Sequence, residues 1–578
     1  MASVFGPYAQ DDAYGSRAIN PMELYHNQVT RVQGPFSLRM FHRSWGLMLI
    51  QANIAAPCTL LDFPTRERFL EEICRQEYDV VGIGSITTNV LKVRDMCRLV
   101  RRHRPAAKIV VGGHIANMPD LGQRIDADDI VRGEGVRWFR EFLGEDISAP
   151  IRHPYIPTRC ATRCLGMVLR ELPGDTALTL IPSVGCPVGC NFCATSAMFG
   201  GKGRFVNFYD SGDELFDVMS QLESRFGTRS FFVMDENFLL HRRRALRLLG
   251  LMEQEDKSWS LYVFSSAGAL ASYSIEQLVG LGVSWVWMGL EGERSQYDKL
   301  RGIDTMALVR RLQSHGIRVL GSSIIGLESH TPENIDLAID YAVKHEADFH
   351  QFMLYMPLPG TPLHAEMSAR GLMKDEQDCP VPDTHGQFVF NYHHPHIPAG
   401  RETEFLLRAF HRDFVANGPS LIRVVRTTLA GWKRYKSHPD LRVRRRFQWD
   451  CQEMANIYPA AVAAAVRYYR HEPRMRARMS ALLDELRREF GWRARLWAAV
   501  GGPYVHWSIR REAARLARRW TYEPPTFYEQ NEAARALSQD GRRPATLCRF
   551  VTPRIERSHR QQPSPLDRTP AGGRIKGP

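Results

Sequence analysis

The chain has 578 residues, 44% of them hydrophobic and 24% charged, and 76 Lys and Arg outweigh 63 Asp and Glu to give a net charge of +13. Such a length holds about three or four domains with large cores, and eleven cysteines, an odd number scattered along the chain, exclude a secreted disulfide framework and point to a reducing compartment. Met1 to Arg17 is interrupted by Asp11 and Asp12 and has no apolar signal stretch. The two most apolar runs, Leu47 to Leu61 and Leu496 to Val505, are broken by Gln51, Asn53 and a Gly-Gly-Pro, so a soluble cytoplasmic enzyme is expected.

Residues 1–43 read as an N-terminal extension, and residues 44–150 as a small doubly wound α/β domain. Strand-like runs at Gly46–Ile50, Val80–Ile83 and Ile109–Val111 alternate with helical stretches at Arg66–Gln76 and Val90–Arg102. Three turns carry glycine: Gly82-Ile-Gly84-Ser85-Ile-Thr87, Val111-Gly112-Gly113-His114 and Ile130-Val-Arg132-Gly133-Glu134-Gly135. Glycine at a strand end lets a ligand approach the backbone. A dinucleotide fingerprint does not fit, because Thr87 stands where that motif needs Gly or Ala.

From Leu178 the pattern changes to short apolar runs alternating with helix-length periodic segments, the mark of a parallel sheet with crossover helices. Six strands are expected at Leu178–Ile181, Phe231–Met234, Leu261–Phe264, Val283–Met288, Val319–Ile325 and Phe349–Tyr355. Helices between them are expected at Glu214 to Phe226, Arg242 to Gln254 and Thr305 to His315. The result is a partial (β/α)6 barrel of TIM type over residues 170–395, whose reactive groups belong at the C-terminal ends of the strands. Directly after the first strand comes Cys186-Pro-Val-Gly-Cys190-Asn-Phe192-Cys193. Gly185, Pro187 and Gly189 let this loop turn back on itself, so that three thiols can converge on soft metal. A closed zinc site or an electron-transfer [4Fe–4S] cluster takes four ligands. With three, one metal position stays open for substrate. Cys160 and Cys164 begin the same spacing, but Met167 stands where a third cysteine would be needed; His393, His394 and His396 are split by a proline and read as a loop.

The C-x3-C-x2-C loop with Phe192 before its last cysteine resembles the signature of the radical S-adenosylmethionine (SAM) superfamily, and the resemblance covers roughly Thr176 to Met373. It implies a [4Fe–4S] cluster on Cys186, Cys190 and Cys193, with SAM on the uncovered iron. Met234-Asp235-Glu236-Asn237 stands, by position only, where the family carries a motif for the SAM amino group. Ser266 after the third strand offers a hydroxyl. Trp287-Met-Gly-Leu-Glu291-Gly-Glu293, running on to Leu300-Arg301-Gly302, is similar to a family stretch with an acidic residue, here Glu291. Ser323-Ile324-Ile325-Gly326-Leu327-Glu328 resembles the segment lining the adenine, with Ile324 and Phe192 packing near the adenosine, but departs where Pro-Gly would follow. Tyr355-Met-Pro-Leu-Pro359-Gly360-Thr361-Pro362-Leu363 is similar to the family's members with an N-terminal cobalamin domain. The three N-terminal turns also resemble that domain, which implies cobalamin contacts at Gly84, Ser85, Thr87, Gly112, Gly113 and Glu134. The Asp-x-His-x-x-Gly motif for a lower axial histidine is missing after Gly46–Ile50.

Residues 400–535 turn helical and basic, with Arg442, Arg444 to Arg446, Arg510, Arg511, Arg515, Arg518 and Arg519, and read as a domain with a solvated basic face; nucleic acid is a possible but disfavoured partner. Residues 536–578, rich in Pro, Gly, Arg, Ser and Gln, read as a disordered tail. The function expected is a cobalamin-dependent radical SAM methyltransferase acting on an unactivated carbon of a small biosynthetic intermediate. A reducing protein such as flavodoxin or ferredoxin would supply electrons. The alternatives are a radical cyclase or rearrangement enzyme with a degenerate cobalamin domain, or a nucleic-acid-binding iron-sulfur protein.

Overall fold

The computed structural model describes residues 1–6, 13–16, 28–158, 160–169, 176–292, 302–518, 520, 525–537 and 546–553. Glu293, Leu300 and Arg301 lie outside them.

Two sheets organise the chain. The first has seven strands in the order Thr546–Leu547, Phe527–Gln530, Thr59–Asp62, Ala2–Ser3, Val80–Gly84, Lys108–Gly112 and Asp129–Val131. Its five N-terminal strands are parallel, while Phe527–Gln530 pairs antiparallel with Thr59–Asp62. Helices Arg66–Arg75 and Val90–His103 pack on it through Phe69, Ile73, Val93, Met96 and Val100, at the three- and four-residue spacing that gives a helix one apolar face.

Three expectations need correction here. Gly46–Ile50 is not a strand; it belongs to the helix Trp45–Asn53. Its apolar run has no clear period, and its start is held from outside the local sequence: Asp62, on the neighbouring strand, accepts from the Ser44 backbone N–H at 3.0 Å and from Ser44 Oγ at 2.7 Å. Residues 1–43 are not merely an extension, since Ala2–Ser3 occupies the centre of the sheet with Leu61 on one side and Ile83 on the other. Nor is the chain disordered throughout 536–578. Thr546–Leu547 extends the sheet, and Phe550–Val551 pairs with His153–Pro154, the Arg152 guanidinium lying 4.7 Å over the Phe550 ring. The apolar side chains of Leu547, Phe550 and Val551 give this short stretch something to bury. Residues 538–545 and 554–578 lie outside the described ones.

The second sheet has six parallel strands in strict sequence order: Leu178–Leu180, Ser230–Val233, Ser260–Ser265, Val283–Glu291, Arg318–Ile325 and Phe349–Leu354. Helices Gly212–Phe226, Arg242–Gln254 and Thr305–Ser314 cover its outer face, where Leu261, Val263, Val286 and Met288 enter the main core. The helix starting at Gly212 is fixed by a capping box in which Ser211 and Glu214 satisfy each other's backbone N–H groups. Along the same strands the alternate residues Phe232, Tyr262, Phe264, Trp285 and Trp287 face inward, as the two-residue period requires. They belong to none of the core clusters and stack on one another instead, with Phe264 and Trp287 ring centres 4.9 Å apart.

C-terminal helices Arg401–Asn417, Ser420–Tyr435, Leu441–Asp450, Ile457–Tyr468 and Pro473–Ala517, the last broken at Gly491, wrap the barrel. The expected solvated basic face holds only in part. Arg442 and Arg446 are buried: Arg442 donates to the Gly280 carbonyl and Arg446 to that of Val283 at 3.2 Å, both at the entry to the fourth barrel strand. From Pro473–Ala517 the chain returns to the first sheet, so the basic helical unit ends before Phe527.

A candidate cofactor site between two sheet edges

The cysteine loop opens from the first barrel strand and is closed by a short antiparallel pair, Ser183–Val184 with Val206–Asn207. Gly185, Gly189 and Gly203 all have positive φ; a Cβ on Gly189 would come within 2.5 Å of the Lys202 backbone, so that turn needs glycine. Cys193 N–H donates to the Cys190 carbonyl at 3.0 Å, and Ser196 Oγ donates to that of Cys186 at 2.9 Å. Burial, with the nearby Cys190, Cys193 and Glu236 charges, pushes the Cys186 thiol up to about 11. Loading with metal must displace that proton. Among the described residues no three His, Cys, Asp or Glu side chains are drawn together as ligands of one metal ion. A multi-iron cluster asks for something else, one thiolate on each of several irons, and three half-exposed thiols on one loop fit it.

Asparagine and aromatic contacts tie this loop to the far end of the barrel. Leu363 N–H donates to the Asn191 carbonyl at 3.0 Å, Asn191 Nδ2 to Tyr355 Oη at 3.4 Å, and the Phe192 and Tyr355 rings meet edge to face at 6.2 Å. Phe192 packs on the same apolar cluster as Ile324, Ile325 and Tyr355, so the two residues expected beside adenosine are brought together. Gly326 ends the fifth strand with φ +79°, and a Cβ there would strike Phe390 at 2.3 Å.

The acidic turn after the second strand divides its labour. Asp235 is turned inward, paired with Arg244 and accepting from Ser183 Oγ at 2.5 Å. Asn237 is also turned in, donating to Ser266 Oγ and accepting from the Ser266 backbone N–H at 3.1 Å. Ser266 in turn caps the next short helix through the Ala269 N–H at 3.3 Å. These three residues build the turn. Glu236 remains, with its Oε2 buried and lacking a hydrogen-bond partner among the described residues, and burial followed by repulsion from Asp235 pushes its carboxyl up to about 7. An orphaned carboxylate oxygen beside the cluster loop suits a cationic amine. Glu291 is buried at the end of the fourth strand, with φ +49°, after a bulge that brings it opposite Ser323. Left-handed backbone at a non-glycine residue is strained and tends to accompany function.

The carboxyl edge of the first sheet faces this loop. Gly84, Ser85 and Thr87 follow one strand and Gly112 and Gly113 the next, beside the point where the strand order reverses around Ala2–Ser3, the place where open α/β sheets take ligands. Gly113 has φ +88°, and a Cβ there would lie 2.5 Å from the Ser85 carbonyl oxygen. Glu134, expected among the cofactor contacts, caps its own helix by accepting from the Val136 and Arg137 N–H groups. Since Gly46–Ile50 is helical, the strand after which an axial histidine would fall is Ala2–Ser3, and the described residues that follow it, Val4, Phe5 and Gly6, include none.

Three contacts join the two edges. His114 Nε2 meets Thr195 Oγ1 at 3.1 Å, Asn117 Nδ2 donates to the Ala194 carbonyl at 3.1 Å, and Arg132 Nη2 donates to the Ala197 carbonyl at 3.1 Å. All three land on Ala194–Met198, the helix that begins one residue after Cys193. Sequence reasoning named His114 and Arg132 only as members of the glycine turns and did not single out Asn117 or Thr195, nor the aromatic inner wall, whose only signal is the alternation in Tyr262-Val-Phe264 and Trp285-Val-Trp287. The two decoys are structural. Cys160–Cys164 is a strand pairing with Arg39–Phe41, and His394 is held by the Leu327 carbonyl and the His396 and Ile397 N–H groups.

Comparison with known proteins agrees with this geometry. The B12 binding domain family matches residues 42–143, and the radical SAM superfamily matches residues 180–342. The chain is thus a radical SAM enzyme with a B12-binding domain, and its cofactors are a [4Fe–4S] cluster, SAM and cobalamin. It is 25% identical to an uncharacterised methyltransferase of Pyrococcus horikoshii over 51% of this chain and 70% of that one. It is 25% identical to the bacteriochlorophyllide d C-12(1)-methyltransferase of Chlorobaculum tepidum over 56% of this chain and 75% of that one. Among solved structures it is similar to the radical SAM methyltransferase TsrM of Kitasatospora setae with cobalamin and a [4Fe–4S] cluster bound, with a TM-score of 0.48 and 17% identity over 71% of this chain and 97% of that one.

Proposed function

We propose that this chain is a cobalamin-dependent methyltransferase that alkylates an unactivated carbon of a small molecule with an apolar, flat portion. The observation that carries the reading is the apposition of the two edges across Ala194–Met198, which sets the glycine cradle of the first sheet against the cysteine loop of the barrel. When bound, the cluster with SAM supplies radical initiation, and cobalamin supplies methyl carriage. The protein's own part is to hold and to exclude. Cys186, Cys190 and Cys193 hold iron, Glu236 receives the SAM amine, and Ile324 and Phe192 flank its apolar face. The wall of Phe232, Tyr262, Phe264, Trp285 and Trp287 keeps water from the barrel interior and offers ring faces to a planar substrate.

The test is anaerobic reconstitution with iron, sulfide and cobalamin, reduction, addition of SAM and assay of two products. S-Adenosylhomocysteine together with 5′-deoxyadenosine is the expected result. Deoxyadenosine alone would overturn methyl transfer in favour of cyclisation or rearrangement, and neither product from protein carrying both metals would overturn the radical reading. Glu236→Gln should weaken SAM binding about tenfold or more, as loss of a charge-assisted bond does, while leaving iron content unchanged; equilibrium dialysis with labelled SAM reads it.

A further inference from the structure

Gly491, with φ +58°, breaks the helix Pro473–Ala517 in two, and the part that follows it carries an unusual outer face. Trp492, Leu496, Val500, Tyr504 and Trp507 recur at three- and four-residue spacing, and Trp497 lies one position round; their exposures run from 44% to 69%. These are six of the seventeen large hydrophobic residues that the described chain leaves exposed, gathered on a span of about 22 Å at the helical rise of 1.5 Å. The opposite face is fully committed. Ala494, Ala498, Gly502, Val505 and Ile509 are buried, and a Cβ on Gly502 would stand 3.1 Å from that of Ala463, so the helix lies close against Ile457–Tyr468. Glu512 then locks it by pairing with Arg163 at 2.7 Å. The outward stripe is therefore fixed in place rather than a surface that folds away.

Arginines flank the stripe. Arg488, Arg493, Arg495, Arg510 and Arg511 are exposed, and none makes an ion pair with an acidic group among the described residues. Arg493 lies 5.7 Å over the Trp492 ring and Arg511 lies 5.4 Å over that of Trp507. Tryptophan and tyrosine with apolar bodies and polar tips, edged by unneutralised guanidinium groups, are the chemistry that settles at the headgroup level of an anionic bilayer. A nucleic-acid face would also pair arginine with aromatic rings, but it has no use for the exposed aliphatic Leu496 and Val500 between them.

We infer that this face docks the enzyme on an anionic lipid surface, lying in the interface rather than crossing it. Among the described residues no helix is long and apolar enough to span a bilayer. The test uses the full chain, reconstituted, with vesicles of phosphatidylcholine alone or mixed with phosphatidylglycerol. Expected are cosedimentation with the anionic vesicles, a blue shift of tryptophan emission on binding, and at least about tenfold weaker binding by the triple variant Trp492→Ser, Trp497→Ser, Trp507→Ser. Arg493→Gln with Arg511→Gln should lose the preference for anionic lipid while keeping the Tm. Equal binding by the triple variant, or no vesicle binding at all, would overturn the inference. Two findings would assign the face to another occupant and overturn it too: a dimer in light scattering that the triple variant abolishes, or salt-sensitive RNA binding without vesicle binding.

Discussion

Charge placement decides what individual residues do here. Asp235 and Glu236 are neighbours of one type, yet one is spent on Arg244 and the other is not. Asp235→Asn should therefore lower stability by about 3–5 kcal/mol, because it strands a buried guanidinium, and thermal denaturation should show it; an unchanged Tm with a raised KM for SAM would return Asp235 to the cofactor. Gly113→Ala tests the other edge. Its Cβ would stand 2.5 Å from a carbonyl oxygen in a backbone region closed to most side chains, so cobalamin retention after gel filtration should fall sharply. The cysteines were legible from their spacing together with Gly185, Pro187 and Gly189, which mark a turning loop; on a helix the same spacing would string the thiols along one face instead of converging them. Asp235 was not, because its partners come from Ser183, 52 positions earlier, and from the following helix.

At the level of elements, periodicity did most of the work. Arg242–Gln254 falls where its period puts it, and the barrel strands agree within three residues at each end. It failed at Trp45–Asn53, where a continuous apolar run has no period to read and the cap sits on another strand. It failed again at Phe527–Gln530, four residues of ordinary composition whose partner is Thr59–Asp62. That pairing is well anchored: Arg43 bridges Asp62 at 2.8 Å and Glu529 at 3.2 Å, and Gln51 Nε2 donates to the Glu529 carbonyl at 3.1 Å. Truncation before Phe527 should take from buried Arg43 one of its two carboxylate partners and open a sheet edge. Its expected signature is loss of cobalamin and limited proteolysis near Thr59, with the iron site of the separate barrel retained.

Buried neutral histidines set the acid limit of the whole molecule. His153 accepts from the Ile181 N–H at 3.0 Å through Nε2, and burial lowers its pKa to about 4; burial likewise takes His330 and His385 to about 4. Unfolded, each would take a proton near its ordinary value of about 6.5. Between those values the unfolded chain binds more protons, so stability is complete above about pH 6.5 and declines as pH falls toward 4. Melting curves should show Tm dropping from about pH 7 to about pH 5; a flat Tm over that range would contradict this account. The two-domain plan was visible in the sequence as two patterns of turns, but not its closure, which depends on strands more than 460 residues apart. That closure orders the protein's manufacture. A ribosome will have released all three cysteines of the loop, every barrel strand and all three glycine turns before it reaches the two strands that finish the first sheet, so that sheet matures last, after synthesis is almost over.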